Sequence, residues 1–389
     1  MFFSRLCAIA IGVAALIALA AVNPLANHKQ GPQLRQEHAQ TGLHAAQHKA
    51  AIAESEVQYM RAPAQTTAPS KNQAVRVGGA LCDSSRTPLV EEAYVRELIG
   101  APDVPVDMCP SNRALRGVHV FVATSIIWWR ASLATQVGQA LRQNATVLIH
   151  LGDENCMWGK DGWKHYNQFR LVLRQWTCWQ TYHGEYARSP MVAAIPIGYT
   201  SALAAHLDPH ASSSRNAAAE TLRRLRSAPL QQELTWSLPG NIKADRQAAI
   251  DAFEERLGGL PNAHGPFPHN ETARIMRASL FVLSGRGEVA LECFRLYEAS
   301  LSGAIPVLAT TQAEYDSAFG HYCSSPPWIV GTSWPDAAAI VAELLRDKHD
   351  VRRRQLAVVR WWVSELRCAQ AKVGTVLGLE STLNASFRS

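Results

Sequence analysis

The chain has 389 residues, 47% of them hydrophobic and 18% charged, with a formal net charge of +6. That length holds two domains with appendages, and the balance is that of a globular chain rather than a wholly disordered one. The charge is mild and scattered, with no dense Lys/Arg stripe among aromatics, so nucleic acid is not an expected partner.

Arg5 precedes an unbroken apolar run from Leu6 to Val22, about 17 residues and near the lower limit for a membrane-spanning helix. Ala18-Leu19-Ala20 also offers a leader-cleavage site, so residues 1–22 are expected to be a signal anchor or, alternatively, a cleaved signal peptide. Residues 23–77 are rich in Gln, Ala and His and carry almost no apolar periodicity. Such a stretch buries too little surface to offset its ordering entropy. It reads as a disordered stem, which favours the uncleaved anchor. Both readings send the remainder into the secretory pathway. Its oxidising lumen makes the pairs Cys82–Cys109, Cys156–Cys178 and Cys323–Cys368 plausible, although spacing does not fix connectivity, and leaves Cys293 as a buried thiol. Asn144, Asn270 and Asn384 begin N-x-S/T glycosylation patterns.

From Gly78 onward short β-branched runs alternate with helical stretches. Strands are expected at 118–122, 146–151, 169–173 and 191–197, with a helix near 133–142. The apolar runs are nearly continuous, as in strands buried on both faces of a parallel sheet. A polar Ser/Ala/Arg-rich stretch, 201–228, reads as a linker. A second series follows: strand 233–238, helix 244–257, helix 271–278, strand 280–283, helix 292–302 and strand 305–308. A long amphipathic helix over about 351–373 closes the chain, with Arg352-Arg353-Arg354 on its solvated face. The expected class is therefore α/β: an N-terminal Rossmann-like domain over 78–200 and a C-terminal one over 229–389 that includes the final helix. In open sheets of this kind ligands sit outside the carboxyl ends of the strands.

The densest chemistry lies in Leu280-Phe-Val-Leu-Ser-Gly-Arg-Gly287, then Cys293-Phe-Arg-Leu-Tyr-Glu-Ala299 and Ser302-Gly-Ala-Ile-Pro-Val-Leu308. A strand enters a loop made of Gly285, Arg286 and Gly287. The next helix carries Arg295 and Glu298 three apart, on one face. Gly303 is suited to end that helix, and Pro306 stands where an early strand position tolerates it. A glycine loop at a helix N-terminus brings N–H groups to a diphosphate, and arginine clamps phosphate oxygens without a metal. A carboxylate on the same face can accept ribose hydroxyls. Upstream, Gly240 and Asn241 form another strand-to-helix loop, where Lys243 or Arg246 could touch phosphate. The plain alternative is a helix-surface ion pair beside ordinary turns, with Arg246 as readily a solvated helix residue.

These segments resemble the C-terminal signature of exostosin-type glycosyltransferases, on Arg286-Gly287, Arg295, Glu298-Ala299, Gly303 and Pro306-Val307. The match covers about 30 residues, with weaker similarity over 236–246. It departs at Gly285, where the family usually has Pro, and at Cys293, where it has Ser. The resemblance implies a GT-B fold, two domains facing a cleft, and inverting transfer from a nucleotide-diphosphate sugar bound by the second domain. It implies that Arg295 and Arg286 meet the diphosphate and Glu298 the ribose. A UDP-sugar is the expected donor and a glycan or glycoprotein the acceptor. The setting expected is a single-pass type II protein of the Golgi membrane, or a secreted one if the leader is cleaved. Alternatives are a GDP-fucose-type transferase on the same frame and a non-catalytic sugar-binding scaffold.

Inverting transfer needs a base from the first domain. Asp153 and Glu154, just past the strand 146–151, are the first candidates, and His183 and Glu185 the second. The plain reading of Asp153 or Glu154 is a helix cap. No convincing D-x-D pair occurs, so no divalent metal or other cofactor is expected. The tryptophans at 128, 129, 158, 163, 176 and 179 suit either sugar platforms or core.

Overall fold

Two fully parallel sheets carry the molecule. The computed structural model describes residues 74–79, 92–99, 106–108, 119–124, 130–152, 166–175, 192–207, 214–227, 233–242, 244–287 and 290–377. The expected anchor, most of the stem, Asp153, Glu154, His183, Glu185, Lys243, the six tryptophans, Asn384 and the other two cysteine pairings lie outside these residues. No helix among the described residues is long and apolar enough to cross a membrane. All of them belong to one compact unit, Ala64–Ser389.

The first sheet is built from β1 (Val75–Gly79), α1 (Glu92–Ile99), β2 (Val106–Met108), β3 (Val120–Thr124), α2 (Arg130–Arg142), β4 (Val147–Leu151), β5 (Leu171–Arg174) and β6 (Val192–Ala194), in the order β2-β1-β3-β4-β5-β6. The connection holds α3 (Ser201–Leu207) and α4 (Ser214–Ser227). The second half comprises β7 (Leu234–Pro239), α5 (Ala244–Leu257), β8 (Asn262–Gly265), α6 (His269–Ala278), β9 (Ser279–Leu283), α7 (Phe294–Ser302), β10 (Ile305–Ala309), α8 (Gln312–Phe319), β11 (Ile329–Gly331), α9 (Trp334–Leu344) and α10 (Lys348–Leu377). Its sheet order is β11-β10-β9-β7-β8.

Strand alternation assigns side chains to three apolar layers. On β3, Val120 and Val122 enter the central core, while Phe121 and Ala123 enter an outer one with Val137 and Phe169. On β9, Val282 faces that same central core, and Phe281 and Leu283 face a second outer core with Trp236 and Phe253. The two sheets therefore share their largest apolar cluster. Helix α10 seals it from both sides: Gln355 Nε2 donates to Gly303 O at 2.8 Å, and Gln370 Nε2 to Glu97 O at 2.8 Å.

One expected boundary is corrected, and the linker gains structure. β1 begins at Val75, inside the stretch expected to be stem, because Val75 and Val77 are fully buried beside β2 and β3. The linker stretch 201–228 is largely helical, since Ala217, Ala218, Thr221 and Leu225 give α4 a narrow buried face beneath its charges. Cys323 and Cys368 are disulfide-bonded, their Cα atoms 6.5 Å apart, and Cys293 is a buried free thiol.

One buried group makes stability depend on pH. His150 on β4 is hydrogen-bonded through Nδ1 to Tyr166 Oη, which also accepts from Arg174 Nη1 at 3.0 Å. Burial first, and the Arg174 charge second, hold its imidazole neutral well below the usual histidine range. The unfolded chain takes up a proton below about pH 6.5 that the folded chain refuses. Stability should therefore fall as pH drops from neutrality, by at most about 1.4 kcal/mol per pH unit from this group. Urea midpoints at neutral and mildly acidic pH check this. His150→Gln should flatten the slope, and an unchanged slope would clear His150 of the effect.

Candidate functional site

In each sheet the strand order reverses once, between β1 and β3 and between β7 and β9. Such a switch point opens a crevice at the carboxyl ends of the two strands. In the second sheet those ends are Pro239-Gly240 and the loop 284–287, where the candidate donor residues Gly240, Gly285, Arg286 and Gly287 fall.

The two loops are joined by the first turn of α5. Asp245 Oδ2 accepts the Arg286 backbone N–H at 2.8 Å. Arg246 donates from Nη1 to Asn241 O at 2.7 Å and from Nη2 to Arg286 O at 3.0 Å. Its guanidinium thus bridges both loops and, among the described residues, meets carbonyls but no carboxylate. Gly285 is required by space: a Cβ there would lie 2.6 Å from Arg246 Cγ and 2.9 Å from Asp245 Oδ2. Behind it, Cys293 Sγ contacts Ser284 Oγ at 3.0 Å and Gly285 O at 3.4 Å. Burial pushes that thiol up, so Cys293 acts as a packing and hydrogen-bonding group. Gly287 N–H donates to Ala290 O at 3.0 Å and closes the loop.

Helix α7 begins after this loop and brings Arg295 across to β7. Arg295 Nε donates to Pro239 O at 2.7 Å, and Nη1 to Glu298 Oε2 at 2.7 Å. Gly240 has φ +129°, and a Cβ on it would stand 3.2 Å from Arg295 Nη2 and 3.4 Å from Arg246 Nη1. The glycine leaves two guanidinium edges beside a bare backbone, an arrangement suited to a diphosphate. At the far end of α7, Gly303 adopts φ 81° and caps the helix as expected.

Two of the candidate donor residues, Arg286 and Glu298, are engaged by protein partners. The Arg286 guanidinium turns away and forks onto Glu314, at 2.5 and 2.6 Å, and Glu314 also accepts from Thr310 Oγ1 at 2.5 Å. This pairing raises the arginine and lowers the carboxyl. The pair borders a groove of about 630 Å3 between α5 and the N-termini of α8 and α9. Glu298, whose side chain is 0% exposed, accepts from Thr200 N at 3.2 Å and Thr200 Oγ1 at 2.9 Å, in addition to Arg295. Among the described residues, the sequence reading missed Asp245, Thr200 and Glu314. Asp245 was open to inference from its place in the first turn of α5; the others reach the site through long-range packing.

No protein-family model matches the chain, and no curated protein does. Solved structures with a similar arrangement include an α1,3-fucosyltransferase, 11% identical over 75% of this chain and 83% of that one, with a TM-score of 0.41. The Anabaena protein HepE in complex with UDP and glucose is 12% identical over 81% and 99%, with a TM-score of 0.40. An α-glucosyltransferase in complex with UDP-glucose and DNA containing an abasic site is 10% identical over 75% and 96%, at 0.35. Likeness at this level carries no weight on activity, and the functional reading rests on the residues of this chain.

Proposed function

We propose that the protein is an inverting glycosyltransferase of GT-B architecture that moves a sugar from a nucleotide-diphosphate donor, a UDP-sugar, to a glycan or glycoprotein acceptor. The observation that carries this is the convergence of Arg246, Arg295 and the bare Gly240 backbone at the switch point of the second sheet. There the leaving diphosphate gains negative charge as the glycosidic bond breaks, and fixed guanidinium donors stabilise it with little reorganisation. Gly285, Gly287 and Lys243 complete the loops in this proposal, and the Arg286 backbone ties them to Asp245 and Arg246. A divalent metal is not required, because arginine supplies the countercharge.

The base is proposed to be Asp153 or Glu154, which follow the carboxyl end of β4, with His183 or Glu185 as second choices. It removes the acceptor hydroxyl proton while that oxygen attacks the anomeric carbon. The expected setting remains the secretory pathway, as a Golgi type II membrane protein or a secreted one. The Cys323–Cys368 disulfide and the exposed Asn144 and Asn270 favour such a compartment.

Thermal unfolding of the protein with UDP, GDP, CMP and their sugars, with and without EDTA, tests the reading. Stabilisation by UDP that survives EDTA is expected, near 2.7 kcal/mol at about 100 times Kd. Stabilisation by GDP alone would favour a GDP-fucose-type transferase. No shift with any nucleotide would sink donor binding and leave the non-catalytic scaffold.

A further inference from the structure

Glu298 matches the family residue whose implied partner is the donor ribose, yet its surroundings in this chain are of another kind. A carboxylate offers about four acceptor positions. Three are taken: Oε2 by Arg295 Nη1 at 2.7 Å, and Oε1 by the backbone N–H and the hydroxyl of Thr200 at 3.2 and 2.9 Å. The side chain is wholly enclosed. Thr200 belongs to the stretch after β6, and Arg295 reaches on to Pro239 at the end of β7. Glu298 therefore stands in an unbroken chain of hydrogen bonds from the first half of the molecule to the loop that carries Gly240. A ribose hydroxyl can reach this carboxylate only by displacing Thr200 or Arg295.

A second buried carboxylate holds the same stretch. Glu292 Oε1 accepts the Ile197 N–H at 3.1 Å, the Tyr322 hydroxyl at 2.6 Å and the Tyr297 hydroxyl. Residues 197–200 are thus pinned at both ends by the loop and helix that present Arg295. Burial makes these bonds costly to break, because a carboxylate stripped of its partners inside a protein is strongly disfavoured.

We propose that Glu298 is a positioning residue: with Thr200 it fixes Arg295 at the diphosphate end of the donor site, and it does not bind the donor ribose. This rests on the donor-site reading above. It makes Thr200, a residue of the other half, a determinant of nucleotide affinity, and it ties the geometry of the phosphate clamp to the joint between the halves.

The joint is tested without nucleotide by a stability cycle of Thr200→Val, Arg295→Lys and the double variant. No hydrogen bond joins Thr200 to Arg295 directly, so coupling through Glu298 is expected, and strict additivity would overturn the proposal. Titration with UDP and 2′-deoxy-UDP then tests the role. Thr200→Val and Glu298→Gln should each weaken both nucleotides by a common factor, roughly tenfold for a lost bond to a charged group. Thr200→Ser should restore affinity. A ribose ligand would behave otherwise: Thr200→Val would bind as the wild type, and Glu298→Gln would lose only the preference for UDP over its deoxy form. Either result overturns the proposal. Coupling with no nucleotide bound by the wild type would instead remove the donor-site reading, and the positioning role with it.

Discussion

Arg295→Ala should remove nucleotide binding and lower stability in the same variant. The guanidinium makes two charge-assisted bonds, to Pro239 O and Glu298 Oε2, and its side chain is 29% exposed toward the switch point. Removing it takes away the clamp that the proposed diphosphate needs, which should weaken nucleotide binding by about 100-fold or more. It also leaves Glu298 buried with Thr200 as its remaining side-chain partner, and breaking such a pair costs about 3–5 kcal/mol. Arg246→Ala separates the two effects. That guanidinium bonds carbonyls and no carboxylate among the described residues, so its loss should weaken nucleotide binding with a smaller loss of stability. Nucleotide titration and denaturant midpoints on the two variants check this. Wild-type affinity in Arg295→Ala would take Arg295 out of the donor site.

The run β9, loop, α7, β10 was legible because each step is local. An apolar run at 280–283, a glycine at 285, Arg and Glu three apart and a terminating glycine all follow from short-range chemistry. Helix α5 was bounded at Ala244 and Leu257 for the same reason. Elements with weak local signatures were lost. β8 is a short edge strand in which Gly265 is buried and His264 exposed, and α4 hides four small or aliphatic inward residues among arginines. β1 was absorbed into a polar prelude because its evidence is tertiary: two valines acquire a core only once β2 and β3 flank them.

The site divides along the same line. Residue types that suit a diphosphate were readable, and their meeting at one switch point depends on sheet order, which strand periodicity does not encode. The partners of those residues were not readable. Glu298 meets Thr200 across 98 positions, and Arg286 meets Glu314 across 28. Both contacts bear on a role: on the proposal above, the first makes Glu298 a buried tie, and the second points the Arg286 guanidinium toward a neighbouring groove. The Cys323–Cys368 bond was accessible because it joins neighbours in the cysteine order, which is plausible pairing rather than deduction.

Trp362→Ala should be among the most destabilising single changes in the molecule. Trp362 lies midway along α10, 1% exposed, with ring centroids 5.9 Å from Tyr94, 6.2 Å from Tyr199 and 5.7 Å from Tyr297. Tyr94 belongs to α1 of the first half and Tyr297 to α7 of the second, so one ring packs against both. Truncating a buried tryptophan costs about 3–5 kcal/mol through lost contact and the cavity left behind. Here the cavity opens where α10 passes from one half to the other, so the halves should also unfold less cooperatively. A smaller denaturant slope, or two resolved transitions, would report that loss. Trp362→Phe is the informative control. The indole Nε1–H has no acceptor among the described residues, so phenylalanine gives up no hydrogen bond and keeps most of the ring contact. It should retain the single transition at a modest cost. If Trp362→Ala unfolds in one transition with less than about 1 kcal/mol lost, well short of the usual cost of emptying a core site, then α10 is not what binds the two sheets into one unit.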